Sequence, residues 1–238
     1  MNKLRPTKGI EDIIKNFTPI NSNYERITKI INYSVKGLKN PEDGQHISNL
    51  TDLSSMRALR WVKLKMEETE EGRKILSDKP RITEETTNFK NLREYPENTL
   101  GYSYYKYMSE NNFTPDERPV AKYIPDLELS YICQRYKETH DFYHILLGYG
   151  RTVPEELAVK WFESLHLRLP SSAIAAIWGG LIVSFSSNIN LLTKYLPHVI
   201  TNAERSKFLL SVNYEKRLEQ DINKLRQELN IIPLHKFL

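Results

Sequence analysis

The chain has 238 residues, 39% hydrophobic and 27% charged, with a net charge of +4 and a single cysteine. Apolar content at that level with regular helical spacing suffices for a core, and no stretch has the composition of a long disordered region. Cys133 alone excludes an intramolecular disulfide and points to a reducing compartment, and no aromatics interleave with basic residues as a nucleic-acid surface would need.

The charge is uneven. Residues 1–40 carry Lys3, Arg5, Lys8, Lys15, Arg26, Lys29, Lys36 and Lys39 against Glu11, Asp12 and Glu25. This N-terminal region, residues 1–20 above all, either faces anionic lipid or is a flexible, solvated leader. Met1 to Phe17 has no secretory apolar core. It is also a poor transit peptide, because Glu11 and Asp12 interrupt the basic stretch and arginine is scarce; if the chain is mitochondrial, its presequence is expected to be missing already.

Ile10 to Phe17 and Tyr24 to Leu38 read as amphipathic helices joined at Pro19, the second from the spacing of Ile27, Ile31, Val35 and Leu38. Pro41 to Gly44 breaks the pattern. A longer helix is predicted from about Asp52 to Thr69, and Gly72 to Leu76 adds a turn. Residues 80–100 are polar and irregular. Leu100 to Glu110 is a tyrosine-rich helix whose Tyr102, Tyr104, Tyr105 and Tyr107 either fill a core or line a pocket for an aromatic substrate. A proline-punctuated loop, Pro115 to Pro125, leads to the next helix, with Asp126 as its N-cap.

On that helix Leu129, Cys133, Tyr136, His140, His144 and Leu147 step by four, three, four, four and three, so two histidines stand on the apolar face. His140 and His144 are four apart and Asp141 and His144 three apart, which turns all three toward one side. Burying such groups without partners costs about 1–3 kcal/mol per unsatisfied polar group. A shared metal removes the cost; core histidines bonded to backbone carbonyls are the plainer reading. After the loop Gly148 to Arg151, Thr152-Val153-Pro154-Glu155 fits a helix start, with Glu155 closing a capping box. Glu156 is rotated roughly 100° from it and turns inward as the carboxylate ligand. Two imidazoles with carboxylates suit zinc or another divalent metal.

Pro170 to Ser187 holds the most apolar run, about thirteen residues from Ala173 to Phe185 and short of the ~20 needed to cross a bilayer. It is expected either as a buried central helix, bent at Gly179-Gly180, or as a wall against a lipid tail. Ala203 to Leu229 is predicted as one helix, with Leu218, Ile222, Leu225 and Leu229 packing on the body or seating a partner such as a second copy. Period-two strands are missing. The expected fold is an all-α, single-domain helical bundle over residues 1–238, with a metal site between two adjacent helices.

The run His140-Asp141-x-x-His144, eleven residues and Glu156 resembles the signature of the ubiquinone (coenzyme Q) biosynthesis proteins of the Coq-four type. Flanking segments resemble them too: Tyr131 to Tyr136, Leu157 to Glu163, Gly72 to Leu76 with Pro80-Arg81-Ile82, Thr99-Leu100-Gly101, and Pro115 to Pro119. The similarity spans roughly residue 20 to the C-terminal helix. It implies an all-helical peripheral protein of the matrix face of the mitochondrial inner membrane, working among other coenzyme Q biosynthesis proteins. It also implies Zn2+ bound through His140, Asp141, His144 and Glu156, and removal of the C1 carboxylate from a polyprenylated 4-hydroxybenzoate-type ring.

That chemistry needs an open coordination position. Four protein ligands on a tetrahedral zinc leave none and suit a structural site. Either coordination expands, or Asp141 stands behind the ligands as the catalytic acid. The alternative function is a non-catalytic, lipid-binding scaffold of the biosynthetic complex. A metallohydrolase is disfavoured, since Asp141 replaces the longer glutamate such a site uses as base. Arg135, about 140° round the helix from His140, is expected to point away from the site.

Overall fold

In a computed structural model, residues 8–40, 43–182 and 189–238 are described. Pro19 and its neighbours separate α1 (Lys8–Asn16) from α2 (Asn23–Lys39), which starts where the Ser22 hydroxyl accepts from the Glu25 amide. Residues 1–7 of the N-terminal segment, and Pro41-Glu42 of the expected break, lie outside the described residues.

The helix expected from Asp52 to Thr69 is instead two, α3 (Gly44–Ser54) and α4 (Met56–Glu67). They meet at Ser55, whose φ of −101° and ψ of 5° leave the helical range. Ser54 donates to the Leu50 carbonyl at 2.7 Å, the kind of local side-chain bond that competes with a continuing helix. α5 (Glu70–Asp78) follows, and Gly72 is required in it because a Cβ there would stand 2.1 Å from the Met66 carbonyl oxygen. Short turns at Glu84–Thr87 and Phe89–Glu94 lead to α6 (Leu100–Glu110).

α7 (Leu127–Leu147) is the axis of the molecule. Asp126 caps it, accepting from the Glu128 and Leu129 amides at 3.0 and 2.9 Å, and Gly148 ends it in the left-handed region at φ 79°. It is buried on every side rather than along one stripe, so it also buries Gln134, Arg135, Lys137 and Glu138. Phe142 is sandwiched between Tyr104 of α6 and Tyr214, with centroid distances of 4.3 and 4.5 Å. Such rings bury large areas in fixed geometry and pin both segments to α7.

α8 (Val153–Leu167) returns beside α7, and α9 (Pro170–Ile182) packs on α8 and α3. Gly179-Gly180 does not interrupt α9. The Leu157 side chain lies over Gly179, where a Cβ would come within 2.2 Å of it, so the glycine serves close helix approach. Nor is α9 buried all round, since Ile177 and Trp178 are exposed. The rest of the apolar run, 183–188, lies outside the described residues.

The single C-terminal helix expected from Ala203 to Leu229 is replaced by α10 (Leu196–Arg205), two 3-10 turns at Leu209–Ser211 and Tyr214–Lys216, and α11 (Ile222–Glu228). Ser206 is extended, and Asp221 starts α11 by accepting from the Asn223 and Lys224 amides. Leu218, Ile222, Leu225 and Leu229 are buried within the chain, so this apolar row packs on the body and does not seat a partner. Among the described residues there is no strand, only an isolated bridge between Thr99 and Asp221. One hydrophobic core runs from Ile13 to Ile231, and the all-α expectation holds.

Candidate metal centre

Three of the four expected ligands meet. His140, His144 and Glu156 offer atoms that all lie within 4.8 Å of one another. The glycine stop at the end of α7 and a five-residue loop bring the start of α8 back over the two histidines. Thr152 and Glu155 form the expected capping box there, with Glu155 accepting from the Gly150 and Thr152 amides at 3.0 Å each. This fixes Glu155 on the loop and turns Glu156 inward. Its carboxylate stands 3.5 Å from His140 Nε2 and 3.0 Å from His144 Nε2.

Each imidazole is held by its other nitrogen. His140 Nδ1 donates to Glu163 Oε1 at 2.7 Å, and His144 Nδ1 donates to the Gly150 carbonyl at 2.8 Å, tautomers assigned from these acceptors. Both Nε2 atoms therefore carry the lone pair toward Glu156. His144 Nε2 is buried and makes no hydrogen bond, because Glu156 lies close to it but outside hydrogen-bond geometry. An orphaned buried nitrogen beside a second imidazole and a carboxylate fits a divalent ion that takes all three. Acceptors behind the ligating histidines are the usual support of such sites.

The charge balance agrees. Burial pushes the Glu156 carboxyl up, but His140, Lys160 and His144 outweigh it and hold it well below the usual carboxylate range. Burial also pushes Glu163 up, while Lys160 and His140 draw it down to about 2. Burial and Lys160 both press the His140 pKa down, yet Glu156 and Glu163 leave it raised. The cluster favours added positive charge. Glu156 keeps 37% of its side chain exposed, so the site opens to solvent on one side.

Asp141, the fourth expected ligand and the expected acid, lies outside this group. Both of its oxygens accept from Arg118 Nη2. On α7 it sits about 60° from His144, on the flank crossed by the proline-punctuated loop that carries Arg118. Arg135 is away from the site as expected, yet fully buried, paired with Glu215 at 2.8 Å and donating to the Val212 carbonyl at 2.7 Å.

Residues beyond the motif complete the surroundings. Lys160 stands 3.6 Å from Glu156 and 3.1 Å from Glu163, and Glu163 also accepts from Tyr136 and Ser172 at 2.8 Å. Glu156, Lys160 and Glu163 step by four and three along α8, a same-face charge pattern that was visible in the sequence. Tyr107 places its ring 5.3 Å from that of His144. A cleft of about 400 Å³ reaches this point, lined by Tyr102, Lys106, Tyr107, His144, Gly150 and Arg226 among others. A larger one, about 510 Å³ between Glu67, Arg73, Lys79 and Glu128, touches none of these groups.

Residues 15–235 match the family model described as "Coenzyme Q (ubiquinone) biosynthesis protein Coq4". The chain belongs to this family. A Paramecium tetraurelia relative named ubiquinone biosynthesis protein COQ4 homolog 2, mitochondrial, is 40% identical over 79% of this chain and 90% of its own. The mitochondrial COQ4 homolog of Aedes aegypti is 38% identical over 87% of this chain and 76% of its own. A crystal structure from Nostoc punctiforme, of a protein provisionally assigned to ubiquinone biosynthesis, superposes with a TM-score of 0.67 at 18% identity. It covers 85% of this chain and 96% of that one, which supports the fold. Among the described residues no helix is long and apolar enough to cross a membrane.

Proposed function

We propose that this Coq4-family chain removes the C1 carboxylate of a polyprenylated 4-hydroxybenzoate-type ring during coenzyme Q biosynthesis, using a divalent ion, zinc in the first instance, held by His140, His144 and Glu156. The observation that carries this reading is the buried, hydrogen-bond-free His144 Nε2 aimed at the same space as His140 Nε2 and Glu156. Two imidazoles and one carboxylate are a donor set of catalytic zinc sites, which keep a position for water or substrate. The ion would supply Lewis acidity toward the substrate carboxylate or phenolate.

The remaining steps fall to the chain. An aromatic 4-hydroxybenzoate loses carbon dioxide most readily once C1 has become sp³, through protonation or attack by an oxidant. Asp141 has both oxygens engaged by Arg118, which weakens its case as the acid. Lys160 and Tyr107 are the donors beside the cluster. Burial, reinforced by Asp141 and Glu156, pushes the Tyr107 hydroxyl far up, so it stays neutral and able to donate. Tyr102 and Tyr107 form the aromatic wall of the cleft that a ring would enter.

The tail and the other pathway proteins need surfaces of their own. Ile27, Ile31 and Val35 on α2 and Ile177 and Trp178 on α9 are exposed apolar side chains, and α2 and α9 touch. Exposed apolar groups of this extent mark contact with lipid or protein. They suit the peripheral contact with a membrane that this reading places on the matrix side of the mitochondrial inner membrane, and they equally suit the scaffold alternative.

One experiment separates the two readings. Purified chain, first assayed for metal, is given a prenylated 4-hydroxybenzoate carrying a labelled C1 carboxylate. Labelled carbon dioxide is expected from the wild type and none from Glu156→Gln of unchanged fold. Less than about half a divalent ion per chain would remove the metal from the account. Absence of carbon dioxide with loss of partner capture in the variant would leave the scaffold.

A further inference from the structure

The Arg118–Asp141 pair bears on how many ligands the ion receives. Asp141 neighbours His140 in sequence and lies one helical turn before His144, so rotation about its own side-chain bonds brings its carboxylate toward the cluster. It is held off by a residue from another segment. One guanidinium nitrogen of Arg118 takes both carboxylate oxygens, and the guanidinium also lies 5.7 Å from the Phe113 ring. The other charged or titratable groups acting here are the hydroxyls of Tyr104 and Tyr107, from α6, with Glu156, Glu138, Asp116 and Arg151, and Arg151 is a second cation, 4.3 Å from the same Phe113 ring.

We propose that Arg118 is a positioning residue that withholds the Asp141 carboxylate from the ion and so keeps one coordination position open to substrate. The inference rests on the metal reading given above and deepens it, since four protein ligands would close a tetrahedral site while three leave it open. Asp141 is 2% exposed. A carboxylate so buried requires a cationic partner. With Arg118 removed, the carboxylate is left to the ion or to Arg151, and only the first adds a ligand. The two residues thus form a choice: an ion pair beside an open site, or a fourth ligand in a closed one.

The test uses the full chain with Zn2+ or Co2+ alone, reading affinity by competition with a chromogenic chelator and coordination from the visible spectrum of the Co2+ form. Glu156→Gln serves as the reference for loss of a true ligand. Asp141→Asn is expected to leave affinity within about threefold, and Arg118→Gln to raise it by about tenfold or more with an altered Co2+ spectrum. That gain should vanish in the double variant. The proposal is overturned if Asp141→Asn weakens binding as much as Glu156→Gln, if Arg118→Gln brings no gain, or if the gain survives without Asp141. Should Arg118→Gln fail to fold, Arg118→Lys, with a charge but no planar guanidinium, is expected to show a smaller gain, and no gain there overturns it equally. A chain that binds no ion, or binds it without Glu156, fails at the metal reading itself; one that binds through Glu156 yet ignores Arg118 fails only here.

Discussion

The two halves of α7 bury polar side chains in opposite ways. In the first half every charge is matched. Lys137 meets Asp52 at 2.7 Å, Arg135 meets Glu215 at 2.8 Å, and Glu138 takes Arg81 at 2.6 Å and the Ile82 amide at 3.0 Å. In the second half, one turn further on, the two histidines are anchored from behind while His144 Nε2 has no hydrogen-bond partner. Burial of polar groups is therefore common to both and marks neither. A saturated network is a structural device that ties α7 to α3, the Arg81 turn and the C-terminal segment. An arrangement that gathers two imidazoles and a carboxylate and leaves His144 Nε2 unsatisfied fits the bound ion proposed above.

The largest expected effect lies in the saturated half. Asp52→Ala leaves Lys137 charged and buried, and it strips acceptors from the Lys122 amide and the Cys133 thiol. Breaking one side of such a pair costs about 3–5 kcal/mol, measurable by urea unfolding. Metal stoichiometry of the protein that remains folded should not change. Equal loss of metal in Asp52→Ala would erase the distinction between the two halves.

A third buried polar group extends the contrast to pH. His166, near the end of α8, accepts from the Leu209 amide at 3.1 Å and lies stacked between Phe162 and Phe208. Burial pushes its pKa down to about 4, against weak opposition from the Ala203 carbonyl. A folded pKa below the unfolded value means that the neutral form is favoured in the fold. The stability it contributes is present above about pH 6.5 and is lost as pH falls toward about 4, roughly 3 kcal/mol in all. Unfolding free energy measured across that window should fall, and His166→Gln should flatten the slope. An unchanged slope in the variant would reassign the acid sensitivity elsewhere.

In the unsaturated half the expected response is reversed. Glu156→Gln should lower metal affinity by more than about 100-fold, beyond what groups behind a ligand are worth. The metal-free protein should lose less than about 1 kcal/mol, because the side chain is partly exposed and belongs to no saturated network. Calorimetric titration and thermal melts with and without chelator read the two quantities separately. A large stability loss with intact binding would make the cluster an ordinary part of the core.

Much of this contrast was legible in the residues. Spacing placed His140 and His144 together, and the Thr152–Glu155 cap left Glu156 as the inward carboxylate, because caps and helical periods are local. Asp141 went astray for the opposite reason: its partner, Arg118, lies 23 residues away in the chain, across a loop whose course no periodicity encodes. Arg135 shows the same limit, since helical angle excluded it from the site but did not foretell a buried pair with Glu215. At the C-terminus, leucine spacing suggested one helix where Asp221 starts a new one. Ser206 and Asn213 carry the breaks, and both are residues whose preference depends on what packs around them.

The neighbouring glutamates Glu155 and Glu156 give the smallest effect and the closest comparison. Glu155 accepts from the Gly150 and Thr152 amides and from the Thr152 hydroxyl, and lies outside the group formed by His140, His144 and Glu156. Glu155→Ala removes one half of a capping box and should cost about 1 kcal/mol, seen as a modest fall in melting temperature. Metal affinity should decline only slightly, through a loosened Gly150 whose carbonyl orients His144. The reciprocal pattern in Glu156→Gln, binding lost and stability kept, would show that one residue of rotation along α8 separates folding from function. If Glu155→Ala were to abolish binding while Glu156→Gln spared it, the inward carboxylate would be the wrong one of the pair.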